Sequence, residues 1–220
     1  MFISLKLEAK LNLASGFSFL SKGKFMSTVV VVKKAGRVVI AADTLISFGD
    51  TKCRGKYVGN KDKILIFKDN YIGLVGSSAH SNVFYSIINN YANLLSFKSR
   101  EDIFESYVKL HPILKEKYFL TTQEGDESEQ SYESSQINAL IANRYGIFGL
   151  FSWREVYDYE RFWAVGSGSS FALGAMYSAY DLLDTPEEIA KVGVEAGAEF
   201  DNGSALPHSL YSIQLKTIEK

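Results

Sequence analysis

The chain has 220 residues, 46% of them hydrophobic, and a formal net charge of −1 at pH 7. This length fits one domain with a large buried core, and the near-zero charge argues against nucleic acid as a partner, because nucleic-acid binders usually carry a basic excess. Membrane and disulfide signals are both absent, since no apolar run approaches the ~20 residues that cross a bilayer and Cys53 is the single cysteine, so we expect a cytoplasmic protein without a membrane partner.

The first 26 residues differ in character from the rest of the chain. Four lysines, Lys6, Lys10, Lys22 and Lys24, interrupt the apolar stretch that a secretory signal would need. Two explanations remain: residues 1–26 are a propeptide, or translation starts at Met26. We favour the second, because methionine before a small serine is the usual substrate for removal of the initiator. The predicted organisation is an N-terminal extension over 1–26 and one domain over 27–220.

Two hairpins are predicted next. Thr28 to Val32 and Arg37 to Ala42 are apolar runs separated by a turn that contains Gly36. A second pair, Lys63 to Phe67 and Tyr71 to Val75, turns at 68–70. Continuous apolar runs of this kind are typical of strands that are buried on both faces.

The remaining sequence alternates between helices and strands. The periodicity predicts helices over 78–95, 99–118, 170–183 and 185–200, an exposed polar loop over 121–135, and strands over 137–143, 147–153, 161–165 and 210–215. Two helix pairs therefore lie between runs of strands. This α+β order predicts two stacked sheets with a helical layer outside each.

Three residues near the start of the domain combine into a possible catalytic set. Ser27 precedes the first strand, Asp43 ends the second, and Lys63 opens the third. A free N-terminal serine supplies a hydroxyl nucleophile and an α-amine that accepts its proton. Lys63 would lower the proton affinity of the hydroxyl and Asp43 would hold the lysine, provided that neighbouring strands bring them together. Taken singly, each residue also has an ordinary structural explanation.

The segment Ser27 to Asp43, STVVVVKKAGRVVIAAD, resembles the opening of proteasome β-type subunits. It is most similar to the heat-shock-locus peptidase, with its Thr-Thr-Ile-Val start, and further motifs follow in the same order. They are Gly49-Asp50-Thr51, Arg54-Gly55, Lys63-Ile64, the run Gly73 to Ala79, Val165-Gly166-Ser167-Gly168-Ser169 and Asp201-Asn202-Gly203-Ser204. The likeness extends from Ser27 to Leu215. Within the family, the chain is most similar to the bacterial proteasome-homologue group.

The resemblance implies a four-layer αββα sandwich of the N-terminal-nucleophile hydrolase type. It also implies peptide-bond hydrolysis, on polypeptide substrates, inside a ring of stacked identical subunits. By this likeness Gly76 donates its backbone N–H to the oxyanion, while Ser167, Asp201 and Ser204 support the amino terminus. No nucleotide-binding motif is present, so energy-dependent unfolding would require a separate ATPase partner.

Two departures from the family pattern concern the nucleophile. Counting back from Gly36 and Asp43 puts Ser27 where the family has threonine, with Thr28 as the alternative nucleophile. Serine lacks the β-methyl that restricts the rotamer, but it offers the same hydroxyl. Met26 stands where self-cleaving propeptides have glycine. An intact extension would acylate the amine, so we expect the full-length chain to be inactive.

Three other functions are less well supported by the sequence. The Gly166-Ser167-Gly168 segment lacks the third glycine of a dinucleotide site, and neither a cofactor nor a metal ion is expected. A catalytically silent, ring-forming scaffold subunit with the same fold is the main alternative, although all the expected site residues are retained. An N-terminal-nucleophile amidase acting on small amides ranks last.

Overall fold

A computed structural model describes residues 26–48, 50–123 and 131–217 of the chain. The strands are β1 (Val29–Lys34), β2 (Arg37–Asp43), β3 (Ile46–Phe48), β4 (Thr51–Cys53), β5 (Ile64–Phe67), β6 (Asn70–Val75), β7 (Asn138–Asn143), β8 (Gly146–Leu150), β9 (Val156–Tyr159), β10 (Phe162–Val165) and β11 (His208–Gln214). The helices are α1 (Ser78–Asn90), α2 (Arg100–Lys117), α3 (Ser169–Ala179) and α4 (Pro186–Phe200). The expected α+β class is confirmed.

The strands form two larger antiparallel sheets. The first sheet has the order β10-β1-β2-β11, and the second has the order β5-β6-β7-β8-β9. A separate two-stranded ribbon, β3-β4, follows β2 directly. In the first sheet His208 pairs with Asp43, so the start of β11 lies beside the end of β2. This register brings the segment that precedes β11 to the end of the sheet where Ser27 precedes β1.

Strand β1 shows why its valine run is continuous. Val29 and Val31 belong to a buried cluster that also contains Ile64, Val75 and Leu140 of the second sheet. The alternate valines of β1 instead pack in a cluster with residues of α3 and α4. Both faces of the first sheet are therefore covered, and burying each valine contributes ~1.5–3 kcal/mol.

A third cluster covers the other face of the second sheet. It joins Leu65 and Ile141 of that sheet to Phe84 of α1 and to Tyr107 of α2, all of which are at most 1% exposed. Helices α1 and α2 thus pack on the second sheet, and α3 and α4 pack on the first.

The element predictions are largely confirmed, but some bounds differ: β8 ends at Leu150, before the predicted position 153, and β11 begins at His208, before the predicted position 210. The short strands β3, β4 and β9 were not predicted, since they contain few buried apolar residues. Helix α1 ends at Asn90 and a 3₁₀ turn, Ala92–Leu94, follows it. Helix α3 ends at Ala179, before the predicted position 183. Residues 124–130 of the predicted polar loop, and all of the extension before Met26, lie outside the described residues.

Candidate active site

Ser27 lies at the entrance to β1, against a cavity of about 910 Å³. The residue is only 3% exposed, and its backbone N–H donates to Ser167 Oγ at 3.3 Å. Its hydroxyl donates to the carbonyl oxygen of Met26. In the continuous chain the nitrogen of Ser27 is an amide, so it cannot accept a proton until the bond to Met26 is broken.

Asp43 is fully buried, and each oxygen of its carboxylate accepts two hydrogen bonds. Oδ1 accepts from Lys63 Nζ at 2.7 Å and from the N–H of Thr28 at 2.9 Å. Oδ2 accepts from the N–H groups of Leu45 at 2.9 Å and of Ala205 at 3.2 Å. Four donors compensate the loss of hydration that an isolated buried carboxylate would suffer. Asp43 and Lys63 therefore lie in contact, but they meet across the two sheets and not through neighbouring strands of one sheet, as the sequence had led us to expect.

Lys63 reaches this carboxylate from the second sheet, so the ion pair joins the two sheets. Its side chain is 13% exposed and lines the cavity that Ser27 also lines. Burial lowers the pKa of the Lys63 ammonium, and the charge of Asp43 opposes that shift. The site therefore holds a cation that is paired with an acid and poorly hydrated.

A second set of hydrogen-bonded residues, Ser167, Asp201 and Ser204, contacts the backbone nitrogen of Ser27 through Ser167. Ser167 Oγ donates to Asp201 Oδ2 at 2.6 Å, and Ser204 Oγ donates to the same oxygen at 2.8 Å. Asp201 caps the C-terminus of α4, and Ser167 follows β10. Asp201 orients the hydroxyl of Ser167 so that its lone pair faces the nitrogen of Ser27. The structure thus brings together the three residues that the family resemblance assigned to the amino terminus.

Thr28, the alternative nucleophile, points away from the cavity. Its side chain is fully buried and its Oγ1 lies 2.8 Å from Ser204 Oγ. Because the single proton of Ser204 goes to Asp201, Thr28 is the donor in this pair. A Cβ on Gly168 or on Gly197 would lie 2.0 Å or 2.3 Å from Thr28 Oγ1, so these two glycines leave room for the threonine. Of the two hydroxyls, only that of Ser27 belongs to a residue lining the cavity.

Gly76 also lines the cavity, between the end of β6 and the start of α1. Its φ of +118° is a backbone conformation that favours glycine. The first turn of α1 follows at once, with Ser77 as its N-cap. A helix N-terminus carries a partial positive charge, so this wall of the cavity is suited to an oxygen that gains negative charge.

Comparison with solved structures finds close relatives that cover almost the same region. Thiobacillus denitrificans BPH, in complex with epoxomicin, is 39% identical, with a TM-score of 0.78 over 86% of this chain and 100% of that chain. A second structure of the same protein gives 39% identity and a TM-score of 0.79, over 86% and 98% of the two chains. The chain belongs to the proteasome-type peptidase family.

A more distant relative has the same fold. The eukaryotic HslV of Trypanosoma brucei is 18% identical, with a TM-score of 0.59 over 85% of this chain and 99% of that chain. No protein-family model matches the sequence, and no curated protein does. The resemblance to proteasome-type peptidases and to their bacterial homologues, which the motifs predicted, is confirmed. In the described residues, no helix is long and apolar enough to cross a membrane.

The sequence did not indicate every polar group at the site of this proteasome-type chain. The N–H groups of Leu45 and Ala205, which bind Asp43, carry no side-chain signal. Asp62 lines the cavity and directly precedes Lys63. The adjacent charges in Lys61-Asp62-Lys63 were a signal that could have drawn attention to it.

Proposed function

We propose that the chain is a peptidase subunit in which the N-terminal serine, Ser27, is the nucleophile once residues 1–26 are absent. The observation that carries the proposal is the convergence of two polar sets, Asp43-Lys63 and Asp201-Ser167-Ser204, on a serine beside a large cavity. The alternation of side chains supports the choice of serine, because Thr28 faces the opposite side of the strand.

In the proposed reaction Ser27 Oγ attacks the carbonyl carbon of a substrate peptide bond. The proton of the hydroxyl passes to the free α-amine, whose unperturbed pKa is about 7.7–8.0. The amine then protonates the departing amine of the substrate as the C–N bond breaks, which leaves an ester on Ser27. Water adds to the ester by the same route in reverse, releasing the acid and restoring the serine.

The surrounding groups have separate roles in this scheme. The ammonium of Lys63 stabilises the developing negative charge on Ser27 Oγ, and Asp43 keeps it charged and in place. Ser167 holds the amine through its oxygen, with Asp201 and Ser204 orienting it. The N–H of Gly76 would stabilise the oxyanion, an effect worth ~2.7–4 kcal/mol per donor in other hydrolases.

The architecture extends this proposal to the assembly. We infer that the three buried clusters are the three interfaces of a four-layer αββα sandwich, and that identical subunits stack into rings. Polypeptides are the expected substrates, with an ATPase of separate origin as a possible partner and no resident cofactor or metal. The likeness to BPH and HslV supports self-assembly.

The first experiment is the intact mass of the purified protein, produced from its natural gene without a tag. A mass that begins at Ser27 shows a free amine, and hydrolysis of an apolar fluorogenic peptide should then be lost in Ser27→Ala and retained in Ser27→Thr. A mass that begins at Met1 or Met26 means that the amine is blocked, and the silent scaffold becomes the better account.

Epoxomicin offers an independent probe, because the relative BPH binds it. An epoxyketone presents two electrophilic carbons, and an N-terminal serine presents a hydroxyl and an amine. We expect a single added mass on the Ser27 peptide of the wild type and no addition to Ser27→Ala. Addition at any other residue would contradict the assignment of the nucleophile.

A further inference from the structure

The carboxylate of Asp62 is held on both sides. Its Oδ1 accepts from the N–H of Ile64 at 2.9 Å, which closes a tight turn around the intervening Lys63. Its Oδ2 accepts from the hydroxyl of Tyr211 at 2.5 Å. The backbone of Lys63 is fixed further by its carbonyl oxygen, which accepts from the N–H of Leu74 at 3.1 Å.

Tyr211 comes from the opposite sheet. It lies on β11, three residues after His208, which pairs with Asp43. Its ring packs against that of Tyr71 in the second sheet, with centroids 5.1 Å apart. The bond to the Asp62 carboxylate raises the pKa of Tyr211 to about 12, so the hydroxyl remains protonated and keeps donating through the physiological range.

Two polar bridges therefore connect the sheets next to each other. One is the Lys63–Asp43 ion pair, and the other is the Tyr211–Asp62 hydrogen bond. Asp62 and Lys63 directly precede β5 of the second sheet. Their partners lie on two neighbouring strands of the first sheet, Asp43 on β2 and Tyr211 on β11. The lysine side chain has four rotatable bonds, so its ammonium stays in one place only if its backbone does.

We propose that Tyr211 is a positioning residue of the peptidase site, which fixes Asp62 and thereby the start of β5, so that the ammonium of Lys63 stays on Asp43. This rests on the proposed function, since it gives Lys63 a place in the chemistry. Tyr211 does not line the cavity, so it acts on the reaction through Asp62 and Lys63. Misplacement of a catalytic group by about 1 Å can lower a rate ~100-fold.

The test compares Tyr211→Phe with Tyr71→Phe in the assembled protein that begins at Ser27. Both changes remove one hydroxyl from the same pair of packed rings, but only that of Tyr211 bonds to Asp62. We expect kcat of Tyr211→Phe to fall about ten-fold or more, with KM changed less than two-fold. Tyr71→Phe should stay within two-fold of the wild type in both constants.

A second measurement does not depend on turnover. Brief acetylation followed by peptide mass spectrometry reports how readily Lys63 reacts. We expect Lys63 to react several-fold faster in Tyr211→Phe than in the wild type or in Tyr71→Phe. Equal reactivity in the three proteins overturns the proposal even if none of them is active, and so does an unchanged kcat when they are active.

Asp62→Asn provides a second route if Tyr211→Phe does not assemble. An amide has one acceptor oxygen for the two donors that Asp62 now serves. We expect the same loss of kcat in Asp62→Asn. The double variant, Tyr211→Phe with Asp62→Asn, should be no slower than the slower single variant, because both changes break the same Tyr211–Asp62 bridge. Additive losses would show two independent effects and overturn the proposal. Failure of the peptidase function itself is seen separately, in the comparison of wild type with Ser27→Ala.

Discussion

Asp43 is the residue on which both the fold and the proposed chemistry depend. Its buried carboxylate receives bonds from a lysine side chain and from three backbone N–H groups, one before β1, one after β2 and one before β11. The same four bonds tie those segments together at one end of the first sheet. A buried charge of this kind is tolerated only while its donors are in place.

The pH dependence of hydrolysis is the sharpest prediction at this scale. In the proposed mechanism the α-amine of Ser27 must be neutral to accept a proton, so activity should rise as the amine deprotonates. The same mechanism requires a charged Lys63, and burial lowers the pKa of Lys63 below the ordinary 10.5, so activity should be lost at a lower pH than the pKa of a free lysine. We expect a bell-shaped profile of kcat/KM whose alkaline limb lies below 10.5.

Lys63→Arg is the matched variant, because arginine keeps its charge at any pH used. The activity of Lys63→Arg should be lower than that of the wild type, since the guanidinium does not reproduce the geometry of the ammonium. Its pH profile should show no alkaline limb. An alkaline limb that is the same in both proteins would mean that a group other than Lys63 is titrating.

At the scale of elements, the turn after β10 packs closely against the backbone of Ser27. Gly166 has a φ of +99°, and a Cβ there would lie 2.1 Å from the carbonyl oxygen of Ser27. Neither the backbone angle nor the space allows a side chain. The glycine lets Gly168 donate its N–H to that same carbonyl at 3.3 Å, so the turn after β10 stays joined to Ser27.

Gly166→Ala is therefore expected to destabilise the domain by at least ~2 kcal/mol and to abolish hydrolysis. Gly174→Ala is the control, because that glycine lies exposed in α3 and nothing is within 4 Å of its added Cβ. It should be neutral or stabilising by up to ~1 kcal/mol. Urea unfolding of the two variants measures the difference, and similar midpoints would contradict the close approach.

Helix α4 carries Asp201 at its end, so its stability affects the site. Thr185 and Glu188 form a complete capping box at its start. Thr185→Ala should cost ~1 kcal/mol of stability, while Ser178→Ala, at an exposed position of α3, should cost less than ~0.5 kcal/mol. Thermal unfolding followed by circular dichroism tests this prediction. An equal loss of stability in both variants would contradict a stabilising role of the capping box.

The elements also show which parts of the structure a sequence can predict. The Val29 to Val32 run, the Gly36 turn and the Thr185 cap are local signals, and each gave the observed element. Exposed short strands such as Val156–Tyr159 have no such signal. Asp43 and Lys63 were predicted because each stands at the end of a recognisable strand, whereas the Tyr211–Asp62 bond depends on the register of β11 on β2, which spans most of the chain and leaves no local pattern.

At the scale of the whole molecule, the packing explains why distant segments meet at Ser27. The cluster between the sheets fixes β1 and β2 against β5 to β8, which sets Lys63 opposite Asp43. The cluster under α3 and α4 fixes the first sheet against the helices, which sets Asp201 near Ser167. The site lies where these two packed interfaces end, so the positions of its residues depend on the packing in both clusters.

The proposed assembly leads to a prediction about substrates. If stacked rings enclose the sites, a chain must be unfolded to reach Ser27, so the assembled protein should cleave short peptides and a natively unfolded casein. A compact folded protein of similar size should remain intact under the same conditions. Native mass spectrometry and gel electrophoresis of both reactions would test this together.

The Ser27→Ala protein is the control for assembly, since it lacks the proposed nucleophile and its fold should be unchanged. It should have the same native mass as the wild type and cleave neither casein nor peptide. A monomer that cleaves peptides at full rate would contradict the ring, and cleavage of the folded protein by the assembled form would contradict enclosure. An oligomer that degrades only unfolded chains would support the enclosure of the sites in the proposed ring.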